Sequence, residues 1–501
     1  METSNLIQRW LKGRASTNAE GQLEFEAPQS DGLAAKFRNA YRWIAGQSLF
    51  PGTLDMQWDV RQRISHNGHE IGLAERESLS SFVLLPLLTL MTSRRMVFVG
   101  APGHGKTSMA TFMGLLAGHS LTEIHRAVQH GHPQLTVSDL LGNPLPSDLV
   151  KAETMNDIQV AWREWISMRV KIIDEYNRIP TKTQSALLSL MSEGYAEMYE
   201  QVIQTGRSAW FLTANDDMGG GTFPVIEALQ DRIDLVVRCA PFHSRYLDRL
   251  ASRVTEDRTP EQRVPVDIIF SPEELDEADS EIRAVNLPDD VLDVLGFFLG
   301  QLDFCRRASA DFDSMNKDTL HLSGRRVAHI CNEDCPLDKQ LHICSQTEGG
   351  ISPRTYQSII HYSKALSYFF GRNSVTIEDL RQLLPWLLFD KIRVNAQSQF
   401  FDKAEHKVFL ADRAGWLRNM FEMAIQQHAS YASIREPLRQ LESSLSAPET
   451  LDVQDLKEKL KQVKGHIKDL LEKHELNGPV HEDLLRLKIL YAQGQTELNE
   501  R

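Results

Sequence analysis

The sequence has no apolar run long enough to cross a membrane. Its longest apolar run, Phe82 to Met91, is interrupted by Pro86 and is far shorter than the roughly 18–20 residues that a spanning helix needs. The first residues, METSNLIQRWLKGR, lack the apolar segment of a secretory signal peptide. These two absences predict a cytoplasmic protein with no membrane span.

Basic charge is scarce relative to acidic charge. The chain has 55 Lys and Arg residues against 68 Asp and Glu residues, which gives a formal net charge of −13. Proteins that bind nucleic acid neutralise its phosphates with Lys and Arg side chains. The charge balance therefore argues against nucleic acid as the default partner.

Cysteine is also rare, with 5 residues in 501. A cytosolic chain keeps its thiols reduced, so disulfides are not expected. The chain is 42% hydrophobic and 25% charged, which is typical of a globular protein and excludes disorder and a collagen-like structure. At roughly 100–200 residues per domain, this length suggests two to four domains.

Four regions differ in their residue patterns. Short apolar strands at Met96 to Gly100, Val170 to Asp174 and Ala209 to Ala214 alternate with helices, which predicts a parallel sheet covered on both faces. Helical periodicity dominates from about residue 244. We predict an N-terminal helical extension (1–70), an α/β core (71–243), a helical domain (244–395) and C-terminal helices (396–501).

The C-terminal region carries a helical seam. Apolar residues recur at a 4-3-4-3 spacing and then stop at Asn477-Gly478-Pro479, after which a similar stripe resumes. The residues of the seam are Leu456, Leu460, Val463, Ile467 and Leu470. This spacing fits a helical hairpin folded on its own protein, and it also fits a coiled coil that binds a partner or a second copy.

A phosphate-binding loop is predicted between the first core strand and its helix. The residues Gly100-Ala-Pro-Gly-His-Gly-Lys106-Thr107 fit GxxxxGK[ST]. Glycines let backbone N–H groups turn toward one point, and the helix that follows adds its positive N-terminal end. Lys106 is expected to reach the β- and γ-phosphates, and the Thr107 hydroxyl to bind Mg²⁺. The nucleotide-binding residues of this loop are predicted to be Gly100, Pro102, Gly103, His104, Gly105, Lys106, Thr107 and Ser108.

Two acidic residues end the strand that begins at Val170. Asp174 stands at the carboxyl end of that strand, where it can hold Mg²⁺ beside Thr107, and Glu175 follows it directly. A glutamate at this position can act as the general base for an attacking water. ATP and Mg²⁺ are therefore the predicted cofactors, and Lys106 and Glu175 are predicted catalytic residues.

The residues around this pair resemble a known family. The string IIDEYNRIPTKTQSALLSLMSEG and the stretch from Arg126-Ala-Val-Gln129 to Asp139-Leu-Leu-Gly142 are similar to motifs of the MoxR family of AAA+ ATPases. The resemblance covers roughly residues 70–245 and 350–395. It implies an α/β fold with an AAA+ P-loop parallel-sheet core, an α-helical lid and a C-terminal helical extension.

The resemblance also implies roles for three further residues. Asn215 matches sensor 1, which would position the lytic water with Glu175. Arg232 in Ala228-Leu-Gln-Asp-Arg matches the arginine finger, which acts on the ATP of a neighbouring subunit. Arg354 in Gly350-Ile-Ser-Pro-Arg matches sensor 2 on the lid. A finger supplied in trans implies a homo-oligomeric ring, which the resemblance makes a hexamer.

The chain departs from the family after Asn215. It continues Asp-Asp-Met-Gly-Gly-Gly-Thr-Phe-Pro, whereas family members usually have Asn-Pro followed by a Gly-Thr-Tyr-Pro-Leu-Pro-like run. The predicted role of Asn215 survives this change.

Four of the five cysteines fall in one segment, 305–344, which is longer than the family's usual lid at this point. Their spacing is C-x25-C-x3-C-x8-C, and Pro336 follows the third of them. Four thiolates suit either a tetrahedral Zn²⁺ ion or an iron–sulfur cluster, and the alternative is a set of thiols packed as small hydrophobes. The candidate ligands are Cys305, Cys331, Cys335 and Cys344.

Three functions fit these observations. The first is an ATP-driven ring that remodels or matures a client protein complex, for which the resemblance implies a von Willebrand factor A partner. The second is an AAA+ nucleic-acid motor or restriction-type NTPase, which the net charge disfavours. The third is a regulatory module that senses nucleotide or metal with little turnover, which an intact Glu175 disfavours.

Overall fold

The computed structural model describes residues 15–17, 23–25, 32–47, 54–66, 69–151, 153–154, 158–215, 223–239, 244–255, 259–445 and 448–501. The unusual run after Asn215, residues 216–222, lies outside these ranges, as does most of the N-terminal segment. None of the described helices combines the length and apolarity that a bilayer span requires.

The strands and helices alternate through the middle of the chain and become almost purely helical after it. The strands are β1 (Ala15–Thr17), β2 (Leu23–Phe25), β3 (Met56–His66), β4 (His69–Leu79), β5 (Arg95–Val99), β6 (Gln129–His130), β7 (Gly142–Pro144), β8 (Val160–Trp162), β9 (Val170–Asp174), β10 (Tyr195–Met198), β11 (Gln201–Gln204), β12 (Ala209–Ala214) and β13 (Leu235–Arg238).

The first ten helices belong to the N-terminal region, the core and the start of the helical domain. They are α1 (Leu33–Gln47), α2 (Ser81–Thr92), α3 (Lys106–Leu116), α4 (Leu121–Ala127), α5 (Val137–Leu141), α6 (Pro146–Lys151), α7 (Thr181–Glu193), α8 (Glu227–Arg232), α9 (Leu247–Val254) and α10 (Pro272–Ala284).

The remaining helices form the rest of the helical domain and the C-terminal region. They are α11 (Asp289–Asp303), α12 (Lys317–Leu322), α13 (Val327–Asp334), α14 (Pro353–Phe369), α15 (Ile377–Leu387), α16 (Arg413–Ser444), α17 (Val453–Lys473) and α18 (Gly478–Glu500).

The core is a five-stranded parallel sheet in the order β13-β5-β12-β9-β6. The three central strands β5, β12 and β9 are largely buried because helices cover both faces, as expected for parallel strands joined by helical crossovers. On one face, Met96 and Phe98 pack in a cluster with α2, α3 and lid helices. On the other face, Val97 packs in a second cluster with Trp165 and Leu187.

The lid is continuous with the core through the first of these clusters. Tyr362 of α14 and Leu380 of α15 belong to the same set of buried side chains as Phe98 of β5, and so does Trp416 of the C-terminal helix α16. Every residue of α2 is buried between the sheet and these helices. The position of the lid over the core is therefore set by shared apolar burial, which is the dominant favourable term in packing.

The N-terminal region differs from the expected run of short helices. Within residues 1–70 the described part contains α1, but it also contains the paired strands β1 and β2, and β3, which pairs with β4 in a long antiparallel hairpin. Met56 and Trp58 are buried, while Gln57 between them and Asp59 after them are not. This period of two is that of a strand, so the helical prediction is wrong for residues 56–66.

The C-terminal helices α17 and α18 pack against each other. Leu456, Leu460 and Val463 of α17 are buried in one cluster with Leu484 and Leu487 of α18, and α16 contributes Leu438 and Leu441. The seam read from the sequence is thus covered by the chain's own helices in the part that the structure describes.

Candidate nucleotide-binding site

The GxxxxGK[ST] residues form the turn between the end of β5 and the start of α3. Gly103 and Gly105 have φ angles of 80° and 73°, values that residues with a Cβ atom rarely adopt. Pro102, Gly103 and Ser108 are exposed on the open side of this turn. The loop therefore has the backbone conformation and the access that an anion cradle requires.

Lys106 is buried at the centre of this turn, with 7% of its surface exposed. Its ammonium donates to the carbonyl oxygens of Gly100 at 2.6 Å and Ala101 at 2.9 Å, and to Asn215 Oδ1 at 2.9 Å. Asn215 follows the last residue of β12. The phosphate loop and the predicted sensor residue are thus joined through one lysine.

Asp174 and Thr107, the two predicted magnesium ligands, are in direct contact. The Thr107 hydroxyl donates to Asp174 Oδ1 at 2.9 Å, and the Thr213 hydroxyl donates to the same oxygen at 2.6 Å. Thr213 in turn accepts the backbone N–H of Glu175 at 2.9 Å. Hydroxyl and carboxylate oxygens are the ligands that Mg²⁺ prefers, so these residues suit the ion.

Glu175 is held by two side chains from different elements. The Asn215 amide donates to Glu175 Oε1 at 2.5 Å, and Arg178 Nε lies 3.2 Å from Oε2. The backbone of Glu175 is left-handed, with φ of 53°, which is uncommon for a residue other than glycine. A strained conformation of this kind is often found where a side chain must be aimed.

Two residues of this site were not predicted from the sequence. One is Arg178, the arginine of the quoted DEYNR string, whose contact with Glu175 depends on the turn that follows β9. The other is His130, whose Nδ1 lies 3.4 Å from Asp174 Oδ2. His130 pairs in register with Asp174 across β6 and β9, so its position follows from strand pairing and not from a motif.

Arg232 is the last residue of α8. Its hydrogen bonds among the described residues are not with the phosphate loop of its own chain. Its guanidinium contacts the Ser192 hydroxyl and donates from Nη1 to the Ala228 carbonyl at 2.8 Å. Both contacts are with the outer elements of the core, α7 and α8.

Arg354 does not contact the phosphate loop of its own chain in the described residues. Its Nη1 donates to Asp231 Oδ2 at 3.0 Å, and the Ser352 hydroxyl donates to Asp231 Oδ1 at 2.5 Å. Burial alone would raise the pKa of Asp231, but these two hydrogen bonds lower it below its usual range. Arg354 therefore rests on the residue that directly precedes Arg232.

The segment 305–344 contains four thiols but no site for a single metal ion. All five cysteines lie in described ranges and none forms a disulfide. Among the described residues, no three His, Cys, Asp or Glu side chains are placed to hold one metal ion. Neither the predicted Zn²⁺ ion nor the alternative iron–sulfur cluster at these cysteines is therefore supported. Burial raises the pKa of Cys331 to about 11 and that of Cys344 to about 12.

The parallel sheet, the phosphate loop and the Thr107–Asp174 pair are those of a P-loop nucleotide-binding domain. Residues 95–235 match the family model of the ATPase family associated with various cellular activities (AAA), and residues 339–408 match the model of the AAA lid domain. The chain therefore carries an AAA-type ATPase domain with its lid, and the predicted α/β AAA+ fold with its helical C-terminal region is confirmed.

Two other similarities are more limited. The chain is 29% identical over 171 residues to the uncharacterized protein YeaC of Bacillus subtilis (strain 168), which is 34% of this chain and 50% of that protein. The chain thus spans about half the length of this curated relative. A crystal structure from Cytophaga hutchinsonii ATCC 33406, named a "putative ATPase", is 17% identical and covers 76% of this chain and 94% of its own, with a TM-score of 0.47.

Proposed function

We propose that this chain hydrolyses ATP and uses the energy, as part of a ring, to remodel or mature a client protein complex in the manner of the MoxR family. The observation that carries this proposal is that three side-chain hydrogen bonds, each 2.9 Å or shorter, join Lys106 to Asn215, Asn215 to Glu175, and Thr107 to Asp174. These are the residue types that phosphoryl transfer to water requires.

The residues fit ATP and Mg²⁺. The N–H groups of the turn from Gly103 to Thr107 would hold the β- and γ-phosphates, and the Lys106 ammonium would leave the carbonyl oxygens of its own loop to meet them. Thr107 and Asp174 would hold Mg²⁺, which when bound neutralises charge on the phosphates.

Glu175 and Asn215 act on the water. Glu175 Oε1 would accept a proton from the attacking water as general base. The Asn215 amide, already 2.5 Å from that oxygen, would orient the carboxylate and the water together. Arg178 limits where the other carboxylate oxygen can move, because it pairs with Oε2.

The assembly is also part of this proposal. An arginine that stabilises a transition state must lie beside the γ-phosphate, and the contacts of Arg232 are with α7 and α8 of its own chain. We therefore assign Arg232 to the site of the next subunit in a hexameric ring, with Arg354 supported beside it. A cytoplasmic location, a von Willebrand factor A partner and a protein client are proposed on the MoxR resemblance alone.

A pair of variants tests the ATPase assignment. Lys106→Ala should weaken ATP binding by roughly tenfold or more, because a charged hydrogen bond to the phosphates is lost. Glu175→Gln should keep ATP binding and reduce hydrolysis by about 10²–10⁴-fold, because the amide cannot accept the proton. Lys468→Ala and Glu472→Gln on the exposed face of α17 are the matched controls. Equal turnover in the wild type and Glu175→Gln would overturn the assignment.

A further inference from the structure

The lid contacts the last turn of α8 from two separate parts of the chain. At the start of α14, Ser352 and Arg354 donate to the two carboxylate oxygens of Asp231 at 2.5 and 3.0 Å. Lys391 follows α15, and its ammonium donates to the backbone carbonyl oxygens of Gln230 at 2.5 Å and Asp231 at 3.0 Å. The end of α8 is therefore held by the lid of its own chain.

The start of α8 is anchored on the core. The Ile226 N–H, just before the helix, donates to Gln184 Oε1 of α7 at 3.1 Å. Leu229, in the middle of the helix, is buried in the same cluster as Val97 of the sheet. The helix is thus attached to the core at one end and to the lid at the other, and Arg232 lies at the end that the lid holds.

Among these lid contacts, those of Lys391 act on the backbone of α8 itself. The last carbonyl oxygens of a helix have no partner inside it, and a cation placed there also meets the negative end of the helix dipole. The Lys391 side chain is partly buried, whereas 55% of the Arg354 side chain is exposed, as is 67% of Arg393, which pairs with Glu227. Because water screens exposed ion pairs, Lys391 is the lid residue best placed to restrain this turn.

The guanidinium of Arg232 depends on the same turn. Arg232 directly follows Asp231, so its backbone moves with the two carbonyl oxygens that Lys391 holds. Its Nη1 donates to the Ala228 carbonyl one turn back along α8 at 2.8 Å. A shift of this turn would therefore carry the guanidinium with it. A misplacement of about 1 Å can cost about 10²-fold in rate, so the restraint matters for a residue that acts on a transition state.

We propose that Lys391 is a positioning residue for Arg232. By holding the last carbonyl oxygens of α8, it fixes where the Arg232 guanidinium stands in the site of the next subunit. The inference rests on the proposed function, in which Arg232 acts in trans. The hydrogen bonds of Lys391 in the described part of the chain go to α8 and not to the phosphate loop. Its loss should therefore slow hydrolysis in the neighbouring site and leave ATP binding in its own chain intact.

Mixtures of two variants test this role at one kind of interface. A receiving chain with Arg232→Ala keeps Glu175 but offers no finger, and a donating chain with Glu175→Gln offers Arg232 but has no general base. Turnover then comes from interfaces where a donating chain completes the site of a receiving chain. Adding Lys391→Met to the donating chain should lower kcat by about tenfold or more, with KM for ATP nearly unchanged, because the finger is misplaced. Adding Lys391→Met to the receiving chain should change neither quantity, since the arginine that it would position is already absent.

Two further variants separate positioning from a general loss of structure. Lys391→Arg in the donating chain should restore much of the lost rate, because a cation again reaches the carbonyl oxygens. Lys364→Met is the matched control and should leave kcat unchanged, since Lys364 is another lid lysine whose ammonium donates to a backbone carbonyl, that of Arg283 at 2.9 Å. Lys391→Gln, which stays polar but is shorter, gives the same comparison if Lys391→Met does not fold.

The outcomes distinguish this inference from the proposed function. An unchanged kcat with Lys391→Met in the donating chain, in a mixture that otherwise regains activity, would overturn the role of Lys391 and leave that of Arg232 intact. An equal loss whichever chain carries Lys391→Met would also overturn it, because the lysine would then support the fold in general. A mixture that never exceeds the sum of its parts, even with Lys391 intact, would overturn the proposed role of Arg232 and this inference together.

Discussion

The amide of Asn215 donates a 2.5 Å hydrogen bond to the carboxylate of Glu175, while its carbonyl oxygen accepts from Lys106 at 2.9 Å. One side chain at the end of β12 thereby connects the phosphate-binding lysine with the proposed general base. If Lys106 moves from Asn215 to a phosphate, Asn215 Oδ1 loses its donor. Asn215 is therefore positioned to relate the state of the phosphate loop to the orientation of Glu175.

Asn215→Ala should separate hydrolysis from binding. The variant loses the donor that orients Glu175, so we expect single-turnover hydrolysis to fall by roughly 10²-fold, with ATP affinity changed much less. Rapid-quench hydrolysis and a fluorescent nucleotide titration measure the two quantities. Asn499→Ala, on α18, is the control. A loss of affinity as large as the loss of rate would show that Asn215 serves binding and not orientation.

The strands around this site could be predicted because each combines an apolar run with a motif at its end. Val170–Asp174 and Ala209–Ala214 have the predicted bounds, and β5 begins one residue earlier than predicted. The first helix of the core begins at Ser81, because the chain from His69 to Leu79 is still in β4. The local sequence pattern was sufficient to predict a strand where an apolar run and a functional motif occurred together.

Contacts between distant elements could not be predicted in the same way. Arg354 and Asp231 are 123 positions apart, and the sequence carries no signal that the lid arginine rests on the residue before Arg232. His130 meets Asp174 only because β6 pairs with β9 in a particular register. Contacts of this kind form only after the sheet and the lid have packed. The spacing of residues along the sequence does not show which distant elements will meet.

The pair of Arg354 and Asp231 should contribute modestly to the docking of the lid. Half of the Arg354 side chain is exposed, so solvent screens the pair and we expect a coupling of at most about 1 kcal/mol. A double-mutant cycle of Asp231→Asn and Arg354→Gln, followed by thermal unfolding, measures it. Strictly additive effects would show that the two residues do not interact in solution.

Asp293 should make the C-terminal helices sensitive to acid. Burial alone would raise the pKa of Asp293, but the hydrogen bond from His428 and the charges of Arg435 and Arg439 lower it to about 2. The folded chain therefore keeps this carboxylate charged at pH values where the unfolded chain, with the ordinary pKa of 3.8, protonates it. The resulting stabilisation is complete above about pH 4 and is lost as the pH falls toward 2.

The variant Asp293→Asn tests this pH dependence. At neutral pH it should unfold more easily by about 2.5 kcal/mol, which is the shift in pKa from 3.8 to about 2 converted at about 1.4 kcal/mol per unit. The difference from the wild type should shrink as the pH is lowered from 4 to 2. Thermal unfolding at a series of pH values measures it, with the exposed Asp402→Asn as control. A difference that stays constant across this range would contradict the prediction.

Arg232 should act on the ATP of a neighbouring subunit. Its guanidinium is held at the end of α8 by Ser192 and the Ala228 carbonyl, and a charge there can lower the barrier only in a site that another chain brings to it. Arginine fingers supplied in trans are worth about 10³–10⁵ in rate in well-studied NTPases.

We expect Arg232→Ala alone and Glu175→Gln alone to be nearly inactive. Mixed together, the two variants should regain activity, because some interfaces then pair an intact Arg232 with an intact Glu175. Arg263→Ala mixed with Glu175→Gln provides the comparison for an arginine outside α8. Mixtures that never exceed the sum of the separate variants would show that Arg232 does not complete a neighbour's site.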